Sequence, residues 1–211
     1  TVEDPVEYDL PGISQTQINL RAGMTFARGL RAILRQDPDV ILIGEIRDGE
    51  TAEIATQASL TGHLVLSTLH TNTAAGAITR LQDLGVDSFL LASTVRGIAS
   101  QRLVRKLCVK CREKVQLNEF NRNLLKLPEG AEVYQSCGCA DCNNTGFIGR
   151  QALFELVTVT PELQTLIHEN AGELELEQLI RRTIPSIRDA GFDLVREGVT
   201  TVEEVLRVTS V

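Results

Sequence analysis

Asp39-Val40-Ile41-Leu42-Ile43-Gly44-Glu45-Ile46-Arg47-Asp48 and His63-Leu64-Val65-Leu66-Ser67-Thr68-Leu69-His70-Thr71 decide how this chain is read. Each is an apolar run that ends in a side chain able to do chemistry, Glu45 in the first and His70 in the second. The opening, Thr1-Val2-Glu3-Asp4-Pro5-Val6-Glu7, has the look of a strand stub that ends in an acid. A four-residue apolar run such as 40–43 fits a strand buried on both faces of a parallel sheet. Ligands of open α/β sheets bind at the carboxyl ends of the strands. The spacing therefore predicts that Glu3, Glu45 and His70 converge on one site.

Outward from these runs the pattern changes to helical. Residues 25–36 carry Phe26, Leu30, Ile33 and Leu34 at helical spacing. Asp37-Pro38 stops that helix, because the residue before proline avoids the helical region. Asp48 is placed to cap a helix over 49–61, rich in small residues and ended by Gly62. A strand at 64–69 and helices at 73–84 and 88–102 follow. This alternation predicts an α/β fold with a parallel sheet. Residues 104–150 show little periodicity and hold all five cysteines. Beyond them we expect a strand at 151–157 and helices at 161–169, 173–182, 185–196 and 201–208. The expected division is a core over 1–103, a cysteine-rich subdomain over 104–150 and a mostly helical region over 151–211.

Composition narrows the function classes. Of 211 residues 43% are hydrophobic, only 4% are aromatic and none is Trp, so the core is built from Leu, Ile, Val and Ala. A formal net charge of -7 argues against general nucleic-acid binding. No apolar run approaches the ~18 residues of a membrane span, and no signal-peptide pattern is visible.

The two histidines of the second run are seven residues apart. Along a regular strand that odd spacing places them on opposite faces and about 20 Å apart. His70 stands at the ligand-binding end, and His63 starts the strand, where a structural histidine is the commoner outcome. His168, in a late helix, reads as a surface residue. Arg21, Arg28, Arg31, Arg35, Arg47, Arg80 and Arg96 are open candidates for phosphate or interface contacts, with nothing in the sequence to choose among them. Cys108-x-x-Cys111 and Cys139-x-x-Cys142 are separated by 27 residues. The gap exceeds the usual zinc-ribbon template, yet four thiolates suit tetrahedral Zn²⁺, and a closed set leaves no catalytic position open. Cys137 is a possible competitor, although it would form a tight C-x-C with Cys139.

The string 35–48 resembles the Walker B region of the secretion ATPase superfamily, which drives type II secretion and type IV pili. Residues 63–71 are similar to its His box, residues 1–7 to its Asp box, and Leu107 to Arg150 to the tetracysteine insertion of secretion and pilus-assembly members. The resemblance implies a RecA-like core and an ATPase that uses ATP, Mg²⁺ and structural Zn²⁺. It implies that Glu3 orients or deprotonates the attacking water, that Glu45 holds Mg²⁺ directly or through water, and that His70 lies near the γ-phosphate. His63 also matches the His box and is carried as a nucleotide-site candidate. The implied assembly is a homo-hexamer at the cytoplasmic face of the inner membrane, a peripheral association made through secretion-platform proteins. Segments 12–18 and 24–30 look more like the general secretion pathway protein E branch than the pilus branch, which stays the close alternative. No G-x-x-x-x-G-K-[ST] phosphate loop occurs. Since the chain opens at Thr1 inside a motif, it reads as a piece of a longer protein, expected to hydrolyse ATP poorly by itself. A non-catalytic zinc module that docks a partner is the rival from another class.

Overall fold

The computed structural model describes residues 1–209. In chain order the elements are β1 (Val2–Glu3), β2 (Thr16–Gln17), α1 (Phe26–Ile33), β3 (Val40–Ile43), α2 (Gly49–Leu60), β4 (Leu64–Ser67), α3 (Ala74–Asp83), α4 (Ser88–Thr94), β5 (Gly97–Leu107), β6 (Glu113–Gln116), α5 (Glu119–Leu124), β7 (Glu132–Gln135), β8 (Phe147–Thr158), α6 (Pro161–His168), α7 (Glu173–Ile180), α8 (Ile187–Arg196) and α9 (Val202–Thr209). They form two compact units, and the chain enters each twice. Residues 1–98 and 158–180 make the first; 99–157 and the chain from 181 make the second.

The first unit is built on a parallel sheet of order β2-β1-β3-β4. Side-chain oxygens cap α1, α2 and α3. Thr25 Oγ1 accepts from Arg28 N at 3.2 Å, Asp48 Oδ1 from Thr51 N at 2.8 Å and Thr73 Oγ1 from Gly76 N at 2.8 Å. Each satisfies one of the donors that a helix start leaves unpaired. Val2, Leu30, Ile41 and Ile43 are fully buried, and α2 contributes the small buried residues Ala52, Ala55 and Ala58. A methyl on Gly29 would stand 2.9 Å from Val2 Cγ1, so α1 lies on β1 with no room for a side chain there.

Two expectations are corrected in this unit. Burial of β3 on both faces does not hold. Ile41 and Ile43 are at 0% exposure, whereas Val40 is 57% and Leu42 36% exposed. The register sets Val40 beside Leu64 and Leu42 beside Leu66, so four apolar side chains share one open face. An unbroken apolar run still alternates with period two, so its two faces can differ in burial. The helix expected over 88–102 is α4 alone. Val95 leaves the helical region at φ -69, ψ 123, and Gly97–Leu107 is the strand β5. Glycine at 97 weakens a continued helix, and pairing with β8 supplies the backbone bonds instead.

In the second unit Val104, Leu125, Val133, Leu153, Phe192, Val195, Val202 and Val205 form one buried cluster. The stretch that lacks periodicity in sequence contains an antiparallel hairpin, β6–β7, with Val115 opposite Val133. Two buried acids fasten the C-terminal helices. Glu155 accepts from Ile187 N at 2.9 Å, capping α8, and is paired with Arg181. Glu204, on α9, accepts from Arg105 N at 3.1 Å and from Arg105 Nη2 at 2.8 Å, and is also paired with Arg207. Buried charges are tolerated when compensated in this way.

Candidate functional site

The parallel sheet brings its strand ends to one edge. Val2 lies beside Ile43, and Ile43 beside Ser67. Beyond that rung the backbones stay joined. Gly44 N donates to Val2 O at 2.7 Å, Ile46 N to Thr68 O at 3.1 Å, and Thr68 Oγ1 to Gly44 O at 2.6 Å. A methyl on Gly44 would stand 3.3 Å from Val2 O and 3.4 Å from Glu3 Cα, so glycine lets β1 approach the β3 end closely. Glu3, Glu45 and His70 thus issue from three neighbouring strands at the same end.

Glu45 is buried, at 9% exposure. Its Oε2 is 3.2 Å from His70 Nε2 and is also bonded by Arg47 Nε. His70 and Arg47 are themselves largely exposed. Of the seven arginines left open by sequence, Arg47 is the one on Glu45. Its i+2 spacing from Glu45 is visible in the sequence, but the strand leading to it ends at Ile43, so alternation could not place it. Glu3 is half-buried and accepts on Oε1 from Thr1 Oγ1 and, at 3.1 Å, from Gln15 Nε2. These two hydrogen bonds hold its carboxyl below the usual range, the Thr1 bond most, against a small opposing effect of burial.

His63 is not brought to this site. It immediately precedes β4, at the opposite end of the strand, where Nδ1 lies 2.9 Å from Ala58 O and 3.2 Å from Thr61 Oγ1 at the end of α2. His168 is exposed on α6.

The four paired cysteines converge. Cys108, Cys111, Cys139 and Cys142 have all four Sγ atoms within 4.8 Å of one another. Three edges are 3.9 Å (108–139), 3.8 Å (111–142) and 3.8 Å (139–142). A Zn–S bond of ~2.3 Å gives tetrahedral S···S edges of ~3.8 Å, so the donor set fits the ion. Backbone amides face the sulfurs. Gly138 N donates to Cys111 Sγ at 3.3 Å, and Cys139 N and Gly146 N donate to Cys142 Sγ at 3.1 and 3.2 Å. Burial works against thiolate formation at Cys142, but the amides and neighbouring thiols outweigh it and bring it down to about 6. Burial and the neighbouring thiols push Cys111 up to about 12. Four clustered thiols cannot all ionise unaided, and a bound cation reverses that logic. Cys137 is exposed and stands outside the four.

The chain is similar to known proteins over nearly its whole length. The family model of type II/IV secretion system proteins matches residues 1–207. The type II secretion system ATPase E of Vibrio cholerae is 58% identical over 211 residues, covering 99% of this chain and 42% of the relative. Type II secretion system protein E of Pseudomonas aeruginosa is 57% identical with the same coverages, 99% and 42%. The chain thus spans less than half the length of these relatives. Among solved structures, the pilus retraction motor PilT with bound ADP matches at TM-score 0.69 and 29% identity, over 98% of this chain and 50% of that one. The Legionella pneumophila ATPase DotB matches in fold, at TM-score 0.66 and 22% identity over 97% of this chain and 49% of that one. Among the described residues no helix is long and apolar enough to cross a membrane.

Proposed function

The chain belongs to the type II/IV secretion system protein family, and on that premise we propose that it carries the metal- and water-handling edge of an ATPase that drives type II protein secretion. The observation that supports this most is Glu45. It is a buried carboxylate at a strand end, with His70 against it and Glu3 on the next strand. Phosphoryl transfer asks the protein for positioning and charge compensation more than covalent chemistry. Glu45 is the residue to hold Mg²⁺, directly or through a water, and Arg47 is its cationic partner. A Mg²⁺ held by Glu45 would supply charge compensation to the reacting phosphates. His70 contacts the γ-phosphate from the same edge, and Glu3 handles the attacking water. Cys108, Cys111, Cys139 and Cys142 hold one structural Zn²⁺, whose thiolate bonds belong to the folding free energy of their unit. The relatives' names favour the secretion branch over the pilus branch. The working protein is a homo-hexamer that acts from the cytoplasm on membrane-platform partners and has no role on nucleic acid.

The test is Glu45→Gln in the complete protein. The exchange keeps size and removes the charge. Steady-state hydrolysis falls by on the order of 100-fold, while the affinity for a fluorescent ATP analogue without Mg²⁺ stays within about twofold of wild type. Unchanged turnover would remove Glu45 from the site.

A further inference from the structure

We propose that Gln15 is the positioning residue of Glu3, fixing which carboxylate oxygen is offered to the attacking water. The proposal rests on the role given to Glu3 above. Gln15 is half-buried and immediately precedes β2. Its Oε1 accepts from Leu10 N at 2.8 Å, and its Nε2 donates to Tyr8 O at 3.0 Å and to Glu3 Oε1 at 3.1 Å. All three contacts agree on one orientation of the amide. Leu10 N can only donate, and Tyr8 O can only accept. A flipped amide would set donor against donor and acceptor against acceptor. The turn from Tyr8 to Leu10 therefore aims an N–H at Glu3.

Both hydrogen bonds to Glu3, from Gln15 and from Thr1, end on Oε1. Among the described residues no hydrogen bond ends on Oε2. A carboxylate has about four lone-pair sites, so Oε2 keeps its capacity to accept from a water while Oε1 anchors the group. The same two bonds stabilise the charged form and depress the Glu3 pKa. A carboxylate so stabilised is a weak proton acceptor at neutral pH and a good orienting acceptor. Orientation suits a loose phosphoryl-transfer transition state, in which the nucleophile's proton need not leave early. Gln17, the register neighbour of Glu3, helps to seat the same loop, because its Oε1 accepts from Val6 N at 3.4 Å, but among the described residues no hydrogen bond joins its side chain to the Glu3 carboxylate.

The test uses the complete protein with Gln15→Glu, Gln15→Met and Glu3→Gln. Gln15→Glu keeps the acceptor for Leu10 N and replaces the donor by a like charge. Gln15→Met keeps the bulk and removes both polar ends. Both are expected to lower kcat about tenfold, with KM for ATP and the affinity for a fluorescent ADP analogue within about twofold of wild type. In Gln15→Glu the acid limb of the kcat–pH profile moves up by about one pH unit, because a second carboxylate raises the Glu3 pKa. The other charged groups at this sheet edge, Glu45, Arg47 and His70, are common to all the proteins, so the displacement reports the Gln15 contact. A residue that merely staples the loop would leave Gln15→Glu at wild-type kcat with an unmoved acid limb. That result, beside an inactive Glu3→Gln, overturns the assignment of Gln15. Wild-type turnover in Glu3→Gln overturns instead the role of Glu3 itself.

Discussion

Glu204→Gln tests whether a buried acid holds the second unit together. The Glu204 side chain is 2% exposed and takes bonds from Arg105 N, the Arg105 guanidinium and Arg207. Burial alone would raise its pKa. The Arg207 and Arg105 hydrogen bonds more than reverse that and bring it from 4.5 to about 2. At about 1.4 kcal/mol per pH unit, this lowering corresponds to about 3 kcal/mol. The folded-state pKa lies below the unfolded one. The contribution is therefore complete above about pH 5 and is lost as pH falls towards 2. Both arginines are about half exposed, so water takes over part of their charge in the variant, and about 2–3 kcal/mol is the expected loss at pH 7. Hydrogen–deuterium exchange of β5 and α9 amides in the complete protein, with and without the substitution, measures it at pH 7 and pH 4. Protection falls in the variant at pH 7, and the gap narrows at pH 4. Acid release of a thiolate-bound metal affects both proteins alike and cancels in the difference. Equal protection of the two proteins at pH 7, or a gap that widens with acid, would refute the reasoning.

Elemental analysis should find one Zn²⁺ per chain. Cys137→Ser keeps it and Cys139→Ser loses or weakens it, and the reverse pattern would overturn the ligand set. Chelation should raise exchange first at residues 104–150, since Cys108 N and Cys111 N bond only within their own knuckle and to Gly146, and should leave β3 and β4 protected. His70→Ala should lower turnover more than His63→Ala, because only His70 reaches Glu45; equal losses would show that strand-end placement does not decide the role. Gly191→Ala gains about 1 kcal/mol of helix propensity but sets a methyl 2.5 Å from Val205 Cγ1 and 3.2 Å from Leu153 Cδ1, both buried. Overpacking of about 1–3 kcal/mol wins, and a lower thermal midpoint is the expected readout.

Local physics made much of this protein legible in its sequence. The runs at Val40–Ile43 and Leu64–Ser67, the cap at Asp48, and Pro161 at the start of α6 each announce an element through neighbours in the chain. Parallel strands share a direction, so those runs also place Glu3, Glu45 and His70 at one edge. Two C-x-x-C turns likewise point to a four-sulfur centre, because each knuckle is built locally. What the sequence left undecided depends on partners distant in the chain. Strand β5 overrides a helical continuation because β8, some fifty residues later, supplies its hydrogen bonds. Val40, Leu42, Leu64 and Leu66 are exposed while Ile41 and Ile43 are buried, and an apolar run carries no record of which side is covered. Cys139 rather than Cys137 joins the cluster through the turn 139–142, whose amide faces Cys142 Sγ. Arg47 on Glu45, Gln15 on Glu3 and Arg105 on Glu204 are side-chain meetings that only the folded backbone arranges. Periodicity reports which face a residue occupies, and tertiary structure decides what stands opposite that face.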